Sequence, residues 1–261
     1  MKVDLSGKIA VVTGAARGIG RATAQCLALN GATVILADID EAEAAKTAGL
    51  IPNAQPLRMD VSSEDEVSDG FKYLAEKFGH IDILVNNAGV NTFKHRVTVD
   101  QFPVEEWDRI LNVDLRGLFL VSRKATELML QNGGGRIVNI SSVLGVVPAR
   151  LQCAYTAAKA GVINLTRAMA IELASRGVLV NCVAPGSTLS PGTEKLFYSD
   201  DAVMREHADR MISHVPLGRV GQVEDMAHAI LFFVAPESSY ITGQTLSVDG
   251  GWSAGGFFRD F

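Results

Sequence analysis

The chain has 261 residues, 48% of them hydrophobic and 20% charged, and carries a formal net charge of −5. That length suffices for one large apolar core, and the acidic balance gives no electrostatic footing for nucleic acid. No apolar run approaches the ~20 residues that span a bilayer, and the start, MKVDLSGKIAVVTGAA, is broken by Asp4 and Gly7 and does not read as a signal peptide. The three cysteines, Cys26, Cys153 and Cys182, show no paired spacing, which fits reduced thiols in a cytoplasmic protein. The five histidines are scattered without helical ligand spacing, so no metal site is expected.

In chain order, strands are expected at Ile9–Thr13, Thr33–Ala37, Gln55–Met59, Ile83–Asn86, Arg136–Ile140, Leu179–Ala184 and Thr245–Val248. They are near-continuously apolar, the pattern of strands covered on both faces. Helical patterns fall between them at Gly18–Leu29, Glu41–Ala48, Glu64–Phe78, Val104–Leu130, Tyr155–Ala174 and Val223–Val234. Strand–helix alternation of this kind implies an α/β fold: a doubly wound parallel sheet of the Rossmann type with helices on both faces. No composition shift or repeat divides the chain, so residues 1–261 are expected to form a single domain. Two long irregular stretches, Val90–Pro103 and Ser187–Val215, have the length of binding loops or lids, and the second has room for a short helix.

The first strand runs into TGAARGIG and then a helix. Gly14, Gly18 and Gly20, with Arg17 and Ile19 among them, lie where a backbone must approach a pyrophosphate closely and a helix N-terminus offers free N–H groups. Asp38 closes the second strand, about twenty residues on, where a carboxylate accepts the ribose hydroxyls and repels a 2′-phosphate. That favours NAD over NADP. Arg17 pulls weakly the other way, as a partner for a phosphate.

In CAYTAAKAG, Tyr155 and Lys159 stand four apart, on one face of a helix. An ammonium near a phenol favours the phenolate, so such a tyrosine can exchange a proton near neutral pH. The pair alone fits a solvated helix face better than a catalytic one, because the pattern is short and its residues are common.

Together the segments TGAARGIG (Thr13–Gly20), DV (Asp60–Val61), NNAG (Asn86–Gly89), IVNISS (Ile137–Ser142), YTAAK (Tyr155–Lys159), NCVAPG (Asn181–Gly186) and YITGQTLSVDGG (Tyr240–Gly251) resemble the short-chain dehydrogenases/reductases, over essentially the whole chain. The resemblance implies that Tyr155 is the general acid/base and that Lys159 tunes it and holds the nicotinamide ribose. It implies that Ser142, thirteen residues before the tyrosine, binds the substrate oxygen; Ser141 fits that spacing less well. Asp60 and Val61 would bracket the adenine, with Asn87, Ala88 and Gly89 beside its ribose. Pro185 and Gly186 would lead to Thr188 at the nicotinamide carboxamide, with Ser190 where the family often has threonine. The family often has asparagine where this chain has Asp114, in NVDLRGLF, a departure that alters the side-chain part of a proton relay while its backbone part is expected to survive.

The substrate pocket is expected from Asn91–Arg96, Val143–Arg150, Gln152–Cys153 and Ser187–His214. Their polar groups, His95, Arg96, Arg150 and Gln152, suit a polyhydroxylated or anionic small molecule. The resemblance and these groups together imply an NAD-dependent oxidoreductase of a secondary alcohol or carbonyl, with a sugar, polyol or related hydroxy compound as the expected substrate. The alternatives are a 3-oxoacyl thioester reductase, which would share every motif quoted, and a cofactor-binding sensor without chemistry. Many members of the family are tetramers, so a homotetramer is expected. The aromatic tail, with Trp252, Phe257, Phe258 and Phe261, is expected to pack on its own subunit or to cross to a neighbour and bring Arg259 near that active site.

Overall fold

The computed structural model describes residues 2–92, 95–190 and 202–255. Seven parallel strands form the main sheet: β1 (Ile9–Thr13), β2 (Thr33–Asp38), β3 (Ala54–Arg58), β4 (Ile83–Asn86), β5 (Gly135–Ile140), β6 (Val178–Pro185) and β9 (Thr245–Val248). Their order is β3-β2-β1-β4-β5-β6-β9. The chain builds outward from β1 to β3, then returns to lay β4 on the other side of β1. This reversal opens a crevice at the carboxyl ends of β1 and β4, the place where such sheets bind ligands.

The continuous apolar runs have a simple cause. Alternate residues of a strand point to opposite faces, and here both faces are covered. Val34 and Leu36 enter one buried cluster and Ile35 and Ala37 the other. The first cluster is closed by α1 (Gly18–Leu29) and a late helix, Val223–Val234. The second is closed by α3 (Glu64–Phe78), α5 (Leu118–Gln131) and α6 (Cys153–Leu173). The shorter α2 is Glu41–Ala48. Local signals agree with the burial: Ser63 caps α3 by accepting from Glu66 N–H, three acidic residues fill the first turn, and left-handed Gly79 ends the helix.

The pattern over Val104–Leu130 is not one regular helix. It is α4 (Val104–Leu111), a π-helical turn over Asn112–Gly117, and α5. A π turn inserts a residue without a break in the rod, so no proline or stop signal marks it; such turns gather at functional sites. Within Ser187–Val215 lie a two-residue strand, β7 (Thr188–Leu189), and the helix α7 (Ala202–Ser213). β7 pairs with β8 (Gly221–Gln222), which leads into α8 (Val223–Val234). Strands this short have no periodicity to read. Among the described residues no helix is long and apolar enough to cross a membrane.

Candidate active site

Each functional segment leaves the carboxyl end of a strand at the crevice. After β1, Gly14 turns with φ +62° and packs so closely on the β4 turn that a Cβ would come 2.8 Å from Ala88 Cα. Gly20 is tighter still: its Cβ would lie 2.2 Å from the Gly14 carbonyl oxygen. Thr13 ties the two turns together, its hydroxyl accepting from Asn87 N–H and Ala88 N–H, each at 3.0 Å. The Asn87 side chain donates to the carbonyls of Thr13 and Gly14. Thr13 had no role in the sequence reading, since a threonine at a strand end carries no signal of its own.

These residues fit a dinucleotide. The N-terminus of α1 takes no side-chain cap, so its first N–H groups are open to an anion, and Ile19 lines the main cavity beside them. Asp38 sits at the end of β2, held by Ala16 N–H at 2.9 Å and Asp40 N–H at 3.0 Å. Arg17 forms a solvent-exposed ion pair with Asp40. Asp60 is fixed by Ser62, whose N–H and hydroxyl both donate to it, and Val61 packs under Gly117 of the π turn.

Ser142 follows β5, and Tyr155 and Lys159 lie on the first turns of α6. All three line one cavity of about 950 Å³ with Asn87, Gly89, Asp114, Pro185, Gly186, Thr188 and Ser190. Lys159 Nζ stands 5.6 Å from the centre of the Tyr155 ring. It donates to the Ile140 carbonyl at 3.2 Å. Both serines line the cavity, but the Ser141 hydroxyl is committed to a structural bond, donating to the Lys159 carbonyl at 2.7 Å. Gly14, Arg17, Gly18, Gly20, Asp38, Asp60, Val61 and Ala88 do not line this cavity but belong to the turns around it.

Asp114 sits in the π turn and is buried. One carboxylate oxygen accepts from Val90 N–H at 2.7 Å, and the other lies 3.0 Å from Lys159 Nζ. That second approach is a buried ion pair. Burial pushes the Lys159 ammonium down, and the charges of Asp114 and Tyr155 more than offset it, so the group is held above the ordinary lysine value. The aspartate is therefore a direct charge partner of Lys159, not only a backbone element of a relay.

The outer wall follows the expected segments in part. Asn91, Arg96, Val143, Leu144, Ala149, Arg150, Gln152, Ser187, Met211 and His214 line the cavity; His95 and Cys153 do not. Trp252 also lines it, as the same-subunit alternative for the tail implies. Gly250 and Gly251, both at positive φ, turn the chain back over Val215 and Pro216. Phe257, Phe258, Arg259 and Phe261 lie outside the described residues.

A family model described as enoyl-(acyl carrier protein) reductase matches residues 14–253. The chain is a short-chain dehydrogenase/reductase. Short-chain dehydrogenases/reductases are nicotinamide-dependent oxidoreductases that act on CH–OH groups. A protein of Thermotoga maritima named 3-oxoacyl-[acyl-carrier-protein] reductase FabG is 41% identical over 251 residues, covering 95% of this chain and 98% of that one. The uncharacterized oxidoreductase YxbG of Bacillus subtilis is 42% identical over 254 residues, covering 95% and 91%. Among solved structures, a putative NAD(P)-dependent gluconate 5-dehydrogenase from Beutenbergia cavernae with bound NADP is 37% identical, with a TM-score of 0.87 over 96% of this chain and 98% of that one.

Proposed function

We propose that this short-chain dehydrogenase/reductase passes hydride between NAD and a secondary alcohol or carbonyl of a small molecule. The observation that carries the reading is the convergence of Ser142, Tyr155 and Lys159 on one cavity beside an open helix N-terminus. In this reading Tyr155 gives its hydroxyl proton to the substrate oxygen in reduction and takes it back in oxidation. Ser142 donates a hydrogen bond to the same oxygen and stabilises the charge that develops there. Lys159, fixed between Asp114 and Ile140, keeps a positive charge beside the phenol. Bound nicotinamide supplies and accepts the hydride. NAD is preferred over NADP because Asp38 presents a carboxylate to the ribose; the NADP in the gluconate 5-dehydrogenase weighs against that preference.

For the substrate, the names of the curated relatives weigh toward a 3-oxoacyl thioester, more than toward a sugar or polyol. One feature of the site favours a hydroxylated compound: Arg96, Arg150 and Gln152 stand on the cavity wall where an acyl chain would want apolar contact. Purified protein assayed with NAD and NADP over hydroxy acids, sugars and polyols, with 3-oxoacyl thioesters run in reduction, decides between them. Turnover of a hydroxylated substrate with NAD, lost in Tyr155→Phe, supports the reading. NADPH-dependent reduction of the thioester alone overturns both the substrate and the NAD preference. Binding without turnover of anything would make the chain a sensor.

We propose a cytoplasmic homotetramer as its working state. The free thiols suit a reducing compartment. An apolar hollow between α4, α5 and α6, lined by Leu111, Leu115, Phe119 and Leu165, supports contact between copies, which light scattering tests.

A further inference from the structure

Three consecutive residues before Tyr155 are unusual together. Gln152 is only 6% exposed, lines the cavity, and its side-chain carbonyl oxygen Oε1 is buried without a hydrogen-bond partner among the described residues. It precedes α6 but caps nothing with its side chain. Buried polar atoms are paired in native proteins almost without exception, so an unpaired acceptor on a cavity wall calls for a donor from within the cavity. Leu151 has φ +62°, a region that a bulky side chain rarely adopts, and such strain persists where surrounding structure enforces it, commonly at binding sites. Arg150, on the other side of Leu151, lines the same cavity.

The charges of the wall are also unbalanced. Lys159 is matched by Asp114, and Arg109 is matched by Glu106. Arg96 and Arg150 form no ion pair or hydrogen bond among the described residues, and both are exposed and line the cavity. The chain is acidic overall, so two unmatched guanidinium groups on one cavity are a local feature and not a general basicity. Guanidinium groups recognise carboxylate and phosphate, with charge-assisted bonds.

We propose that Gln152, Arg150 and Arg96 form a recognition wall for a small hydroxylated anion. The Gln152 carbonyl accepts a hydrogen bond from a hydroxyl near the reacting carbon, and the two arginines pair with a carboxylate or phosphate at the far end of the molecule. The assignment rests on the hydroxylated-substrate reading above and narrows it: a neutral polyol leaves the arginines idle.

The test uses the full chain with NAD on matched substrates: polyhydroxy carboxylates, sugar phosphates and the corresponding neutral polyols, with 3-oxoacyl thioesters alongside. Turnover of the carboxylate or of the phosphate in preference to the neutral compound is expected, and which of the two is used identifies the anion. Arg150→Gln and Arg96→Gln should each raise KM for the anion roughly tenfold, the loss of one charge-assisted bond, with kcat little changed and neutral compounds unaffected. Gln152→Leu should raise KM for the hydroxylated anion and not for its analogue lacking the neighbouring hydroxyl. NADH binding, followed by fluorescence, reports that each variant is folded. Equal turnover of neutral and anionic substrates, with KM unmoved in the arginine variants, overturns the inference and leaves the hydroxylated-substrate reading intact. Activity on thioesters alone overturns both.

Discussion

Truncation of Asp114 is the sharpest test of how the site is held. Its side chain is fully buried, and that of Lys159 is only 5% exposed, with 3.0 Å between carboxylate and ammonium. Removing one member of a buried ion pair leaves the other charge desolvated and unmatched, at a cost of about 3–5 kcal/mol. The Val90 N–H, bonded to the other oxygen at 2.7 Å, is orphaned as well. Asp114→Ala is therefore expected to cost about 3–5 kcal/mol, a large share of the ~5–15 kcal/mol that holds a typical domain. Asp114→Asn keeps one oxygen acceptor but no charge, and turns N–H donors toward one of the two partners, so a smaller loss of about 1–3 kcal/mol is expected. Urea unfolding at pH 7 and fixed protein concentration, followed by circular dichroism, measures both. The double variant Asp114→Ala with Lys159→Met should be more stable than Asp114→Ala alone, because the stranded charge is gone. A cost below about 1 kcal/mol for Asp114→Ala, or no recovery in the double variant, refutes the idea that the two charges hold each other.

Gly20→Ala would bring a Cβ within 2.2 Å of the Gly14 carbonyl oxygen, so the loop must open; the Kd for NADH should rise at least roughly tenfold in a fluorescence titration. Burial pushes the Cys182 thiol up to about 11, and raises that of Cys26 as well, so native protein at about pH 8 should leave Cys182 unalkylated by iodoacetamide while urea exposes all three cysteines to the reagent, as mass spectrometry would show. Asp225 is held below the ordinary carboxylate value by the Arg219 guanidinium, then by the Gln222 N–H. Its contribution is present above the ordinary carboxylate value and is lost as pH falls through the lowered one; Asp225→Asn should lower Tm by about 1–3 °C at neutral pH, an exposed pair's share, and by nothing below about pH 2.

The sheet was legible because its physics is local. A strand sealed on both faces must be apolar along its length, and β1, β2 and β4 are so but for the terminal residues Thr13, Thr33, Asp38 and Asn86. Four residues is one helical turn, which put Tyr155 and Lys159 on one face, but only the ordered motifs along the whole chain gave the pair a role. What stayed hidden is set by tertiary packing. The π turn over Asn112–Gly117 leaves the apolar pattern undisturbed, so Val104–Leu130 read as one helix. The closure of Asp114 on Lys159 spans two elements far apart in sequence, and no spacing rule connects them. Nor does any spacing announce that Leu151 sits at positive φ or that Trp252 folds back over its own cavity.

Asp114 shows why this matters for function. As a letter in NVDLRGLF it looks like a lost amide, and a relay weakened by that loss. In place, its two oxygens serve two partners: one fixes the Val90 backbone after the NNAG turn, and the other faces the lysine beside the candidate proton donor. An asparagine can offer only one oxygen and would present N–H groups to one of those partners. The position thus changes what it does to Lys159 while keeping what it does to the backbone. The wall at Arg150–Gln152 has the same logic from the other side. There, among the described residues, the Arg150 and Gln152 side chains make no ion pair or hydrogen bond, and the proposed recognition of a small anion would give them partners.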